Sequence, residues 1–134
     1  MASSLDTYLG IHPAALQLQS KRMEVLANNL ANVDTPNYKA RDLDFRSALA
    51  AATGSADAPV SLATTKAGHI ATSPDTAGGA ALKYRVPLAP SLDGNTVDAQ
   101  MEQAAFAENS VRYQATLTFL SNSLRNLMTA ITGQ

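Results

Sequence analysis

A stripe of apolar residues only one side chain wide runs along each end of the chain. Near the C-terminus, Tyr113, Leu117, Leu120, Leu124, Leu127 and Ile131 step by four and three, and Phe106 extends the line upward. Such spacing falls on one face of an α-helix and predicts a helix over residues 98–132. Near the N-terminus, Leu9, Leu16, Met23 and Leu30 recur every seven residues, with Leu5, Leu26 and Val33 at the intermediate steps. That pattern predicts a helix over residues 5–33. Both stripes are narrow seams of the coiled-coil kind. Two such helices can pair, but a bare two-helix hairpin leaves much of its apolar surface in water. Either the middle of the chain folds over the helices to make a small α+β domain, or other chains cover them.

Local signals set the ends of these helices. Gly10 and Pro13 disturb the first turns of the N-terminal helix, so its regular part begins at Pro13 or kinks there. Thr96 and Asp98 are N-cap candidates for the C-terminal helix, with Glu102 just inside its start. Glu108 and Arg112 stand four apart in the favourable order, and Gly133 fits the stop. Between Ser47 and Ala81, 27 of 35 residues are Ala, Gly, Ser, Thr or Pro. So little apolar surface does not offset the ordering entropy of the segment, which reads mostly as loop with a short strand at Pro59–Thr64. Residues 83–88 (KYRVPL) read as strand, and Ser91–Asn95 as a turn into the second helix. The expected organisation is one structural unit in three parts. These are an N-terminal helix and turn (1–46), a loose middle with short strands (47–97) and a C-terminal helix (98–134). The fold class is mostly α, the terminal helices pairing as a coiled-coil-like unit.

Composition limits the function classes. The 134 residues carry 10 Lys and Arg against 11 Asp and Glu, with no basic stripe for nucleic acid and no polybasic patch for an anionic membrane. With no Cys there is neither a disulfide frame nor a thiolate metal site. Residues 1–11 lack the positive and continuously apolar regions of a cleavable signal peptide. No run approaches the ~18 apolar residues of a membrane span.

Residues with chemical potential are few. His12 and His69 are isolated. Asp42 and Asp44 would share a face of a strand as a carboxylate pair. With Lys39, Arg41 and Arg46 close by, ion pairing is the better reading. Asp93-Gly94-Asn95 lacks the further ligands of a calcium loop. No phosphate loop or nucleophile elbow is present. The expectation is a protein that is not an enzyme, with no catalytic residues, cofactor, metal or small-molecule substrate.

The most distinctive stretch is VLANNLANVDTPNYKARDLDF, Val25 to Phe45. Three asparagines, Asn28, Asn29 and Asn32, sit toward the end of the first helix, and a Thr35-Pro36-Asn37-Tyr38 turn follows. The stretch resembles the N-terminal signature of bacterial flagellar rod and hook proteins, an Ala-Asn-Asn-hydrophobic-Ala-Asn core followed by a Thr-Pro-Gly-Tyr-like turn. Asn37 replaces the usual Gly, and Asn is the residue that best tolerates a left-handed backbone in its place. With YRVPLAPSLDGNTVD (Tyr84–Asp98) and AENSVRYQATLTFLSNSLRNLMTAI (Ala107–Ile131), the chain resembles the basal-body rod proteins, and among them the proximal rod.

The resemblance implies a structural subunit that self-assembles through its terminal helices into the axial drive shaft of the flagellum. It implies rod and other basal-body proteins as partners, and export by the flagellar type III apparatus to the periplasmic rod without a cleavable signal. It also suggests an assembly interface: Leu16, Met23, Leu30, Asn28, Asn29, Asn32, Thr35, Pro36, Tyr38, Phe106, Tyr113, Leu117, Leu120, Leu124, Leu127 and Ile131. The asparagines are expected to cap the first helix and reach neighbouring subunits. The alternative is a soluble coiled-coil adaptor or export chaperone that binds a partner helix. The Asp34–Phe45 stretch argues against it, since a simple adaptor has no use for such a turn.

Overall fold

A computed structural model of the chain describes residues 4–54, 76–77 and 80–133. The elements in order are α1 (Ser4–Leu9), α2 (His12–Ala31), β1 (Arg41–Leu43), α3 (Phe45–Ala52), β2 (Thr76–Ala77), β3 (Ala80–Tyr84) and α4 (Ala99–Thr132). The fold is mostly helical, and the long terminal helices pair as expected. The strand expected at Pro59–Thr64 and the residues around His69 lie outside the described part.

The first helix breaks at Gly10, whose φ of 59° lies in the left-handed region that favours glycine. Helix α2 then starts at His12, with Pro13 in its first turn, where a missing N–H costs nothing. Its 20 residues span about 30 Å, and the 34 of α4 about 51 Å, at ~1.5 Å per residue. Asp98 caps α4, accepting from the N–H groups of Gln100 (3.0 Å) and Met101 (3.2 Å), and Gly133 ends it at φ 71°. The Glu108–Arg112 pair forms, with Arg112 Nε donating to Glu108 Oε1 at 3.0 Å. Thr96, the other cap candidate, is used elsewhere.

Helices α2 and α4 run antiparallel. Tyr8 lies against Ser123, His12 against Phe119, Gln19 against Thr116, and Asn29 against Glu102. As one number rises, the other falls.

Three elements were not legible in the sequence: strand β1 and helix α3, which follow the first turn, and the short strand β2, since residues from Ser47 onward read as loop. Asp44 starts α3 as its N-cap, accepting from Ser47 N–H at 3.2 Å. Ala48 and Leu49 then pack inward with Leu18, Leu43, Phe45 and Leu82, a small core between α2, α3 and the sheet. Tertiary contact thus holds an alanine-rich helix of 8 residues that would not persist alone. The sheet order is β1-β3-β2, all antiparallel, with Arg41 opposite Tyr84 and Leu43 opposite Leu82. The strand near residue 84 ends at Tyr84 rather than running to Leu88, and Val86 and Leu88 beyond it are exposed.

Candidate assembly interface

The face by which α4 meets α2 is polar. Its buried residues are Glu102, Asn109 and Thr116, seven apart. Gln19 of α2 donates to the Thr116 hydroxyl at 3.1 Å, and Asn109 donates to the Gln19 carbonyl at 2.8 Å. The apolar residues of the seam lie elsewhere on the helix. At about 100° per residue, Phe106, Tyr113, Leu120 and Leu127 flank the polar stripe and are half-buried. Leu117, Leu124 and Ile131 turn farther away and are exposed, Ile131 by 76%.

The buried face of the first helix is mixed, four apolar residues with Gln19 and Asn29. Ala15, Leu18, Gln19, Val25, Leu26 and Asn29 are buried, whereas Leu16, Met23 and Leu30, each about 100° round from this face, are half-buried. Leu16 and Tyr113 line one open groove with Gln17, Ser20, Lys21 and Glu24, so the two seams meet on the same side of the helix pair. The seams expected to pair the helices therefore sit beside the contact, and hydrogen bonds occupy much of the contact itself.

The three asparagines have three different fates. Asn28 is exposed. Asn32, half-buried, donates to the Asn28 carbonyl at 2.8 Å and is the C-cap of α2. Asn29 is fully buried within its own chain, which corrects the expectation that its side chain reaches a neighbour. Its amide donates to the Arg41 carbonyl at 2.7 Å, and its carbonyl accepts from Arg41 N–H at 3.2 Å. Ala40 C=O on the other edge of the chain accepts from Arg85 N–H at 2.9 Å. Asn29 thus imitates a neighbouring strand and closes the free edge of β1 with the two bonds such a strand would make. Tyr38 OH approaches the same Asn29 oxygen at 3.5 Å.

The turn after α2 interlocks with the turn before α4. Asn37 holds φ 61°, the left-handed backbone expected for it, and its N–H donates to Asp93 C=O at 2.9 Å. Thr96 N–H donates to Tyr38 C=O at 3.0 Å, and Thr96 Oγ1 accepts from Ala40 N–H at 2.8 Å. Asn95, buried, donates to the carbonyls of Asn32 (3.0 Å), Val33 (2.7 Å) and Thr35 (3.0 Å). A residue some sixty positions away therefore caps the end of α2. Sequence reading missed Asn95; its only signal was its place in the Ser91–Asn95 turn. Thr35 and Pro36 face solvent at the tip of this double turn.

Below it lies an ion cluster. Arg22 binds Asp42 bidentately through Nε and Nη2, both at 2.9 Å. Arg85 donates to Asp42 Oδ2 at 2.7 Å with one amino group and to Glu102 Oε1 with the other. Glu102 Oε2 accepts from Asn29 at 3.2 Å. The ion-pair reading of Asp42 holds, but its partners are Arg22 and Arg85. Asp44 pairs with Lys83. Burial raises the Asp42 pKa, and the hydrogen bonds and charge of Arg22, helped by Arg85, outweigh it and hold the carboxyl below its usual range. The same pair raises Arg22.

Two paired helices with exposed leucines, joined at one end by interlocked turns, define a structural subunit of an assembly. The model of the family described as "Flagella basal body rod protein" matches residues 9–39. The chain is 49% identical over 126 residues to the flagellar basal body rod protein FlgB of Cereibacter sphaeroides, covering 94% of each. Against FlgB of Aeromonas hydrophila identity is 44% over 135 residues, covering 100% of this chain and 99% of the relative. Against FlgB of Escherichia coli it is 43% over 134 residues, covering 98% and 97%. The chain belongs to the FlgB family of flagellar basal body rod proteins, and its function is that of a structural rod subunit. The adaptor reading is not favoured.

Proposed function

We propose that this chain builds the proximal part of the flagellar rod by packing its two apolar seams against the helices of neighbouring subunits, its own copies and other rod and basal-body proteins. The carrying observation is the division of α4 into two faces. Polar groups meet α2, while Leu117, Leu124 and Ile131 remain exposed along the same helix. Apolar area left in water on an otherwise paired helix is area that association can bury, at ~25 cal/mol per Å². Leu16, Met23 and Leu30 with Tyr113, Leu120 and Leu127 supply the half-buried margin of the same surface. In this reading Thr35, Pro36 and Asn28 contact neighbours directly. Asn29, Asn32 and Tyr38 act through the turn they hold.

The role is mechanical and non-catalytic, in the periplasmic rod of the basal body, after export by the flagellar type III apparatus without a cleavable signal. Neither nucleic acid nor a small-molecule substrate takes part. Among the described residues no helix is long and apolar enough to cross a membrane. The test is site-specific photocrosslinking in cells, with the photoreactive residue at Leu117, Leu124 or Asn122 of α4. Crosslinks to rod proteins from positions 117 and 124 and few from Asn122, exposed on the far side of the helix, are expected. Equal yields from all three would reject the seam as the interface.

A further inference from the structure

The four charged residues of the cluster come from four segments: Arg22 from α2, Asp42 from β1, Arg85 just past β3 and Glu102 from the first turn of α4. Among the described residues, Arg85 is the one cation bonded to both carboxylates. Glu102 is the most enclosed of the four, 1% exposed, and its other partner is the neutral amide of Asn29. A carboxylate taken out of water needs a charge partner, and removing that partner costs more than the pair itself contributes. Arg22 and Asp42, by contrast, form a bidentate pair inside the N-terminal unit and need nothing from α4.

We propose that Arg85 is the key of a latch that makes docking of the C-terminal helix conditional on a seated β3. With β3 paired to β1, Arg85 extends across Asp42 and presents an amino group where Glu102 must be buried. With β3 displaced, α4 can approach α2 only by burying Glu102 against Asn29 alone, so that end of the pair stays open. The links run from Arg22 to Asp42, Asp42 to Arg85 and Arg85 to Glu102, so α4 is held at its first turn only in a subunit whose β3 is in place.

Hydrogen exchange of the full-length free chain, read by mass spectrometry over α2, β3 and residues 99–109, tests this. In the parent, residues 99–109 are protected. In Arg85→Met they exchange at least about tenfold faster, the Glu102 carboxylate having lost its charge partner. Glu102→Gln, which keeps a bond to Asn29 but removes the charge, stays close to the parent. Arg85→Met/Glu102→Gln recovers most of the protection lost in Arg85→Met, because no carboxylate is left to pair. The recovery also decides the matter if Arg85→Met loses protection along the whole chain. Three results would each overturn the latch: a parent unprotected at 99–109, an Arg85→Met variant exchanging like the parent, and a double variant as fast as Arg85→Met. The last would mean that Arg85 acts by packing.

Discussion

At the scale of single residues, neighbouring asparagines with the same propensities do different work. Asn28→Ala replaces an exposed, mediocre helix former and is expected to leave stability unchanged or raise it by a few tenths of a kcal/mol. Asn29→Ala strips both edge bonds from Arg41 and one from Glu102, at about 1–3 kcal/mol for each buried group left unpaired. Urea denaturation of the two variants should separate them clearly, and equal midpoints would refute the edge-closing role. Gly94 makes a similar point about backbone. Its φ is +72°, and an added Cβ would lie 2.6 Å from Asn37 Oδ1. Gly94→Ala should therefore cost roughly 1–2 kcal/mol in the same assay, with part of the loss recovered when Asn37 is also replaced by Gly.

Acid should act through Asp42. Its folded pKa is depressed, so its contribution is present above the unfolded value near 4 and lost as pH falls through the folded one. Stability measured from pH 7 downward is expected to fall below about pH 4, and Asp42→Asn should flatten that limb of the profile.

At the scale of elements, the two faces of α4 separate folding from assembly. Leu124 is 40% exposed and lies off the polar stripe that meets α2, so Leu124→Asp should leave the helix content of the free chain nearly intact. In an assembled rod the same charge would meet apolar surface without a partner, and incorporation should fail. The comparison is circular dichroism of the free protein against rod yield per exported subunit. A variant that assembles normally would place Leu124 on the solvent side. The polar contact has its own logic. Directional bonds between Gln19, Asn109 and Thr116 fix the stagger of the helices, which interchangeable leucines would leave free to slide.

For the whole molecule, the buried apolar residues among those described are few and small: Ala15, Leu18, Val25, Leu26, Ala40, Leu43 and Ala48. A core of that size gives a free subunit little margin over its conformational entropy. Thermal unfolding of the isolated chain is expected at low temperature and over a broad range, and the same chain in assembled rods should be far more resistant. A sharp, high melting transition of the monomer would show that the chain needs no neighbours to be stable.

Apolar periodicity determined the two long helices and their narrow seams, and cap signals narrowed the start of α4 to Thr96 or Asp98 and set its stop at Gly133, because these depend on residues within a turn or two of one another. The left-handed backbone at Asn37 was expected from the resemblance to the rod proteins, whose signature turn usually has Gly there. Which stripe of each helix faces the other was not legible. A leucine seam and a seven-residue polar repeat share α4, and the choice between them falls to partners on α2 some ninety positions away. Helix α3 was invisible because its alanines gain stability only from the packing of Ala48 and Leu49 beside Leu18 and Leu82. Asn95 capping α2, Asn29 closing β1 and Arg85 bridging Asp42 to Glu102 likewise belong to the tertiary structure. Each is a polar group whose partner is set by chain topology, and side-chain hydrogen bonds between distant segments leave no period in a sequence.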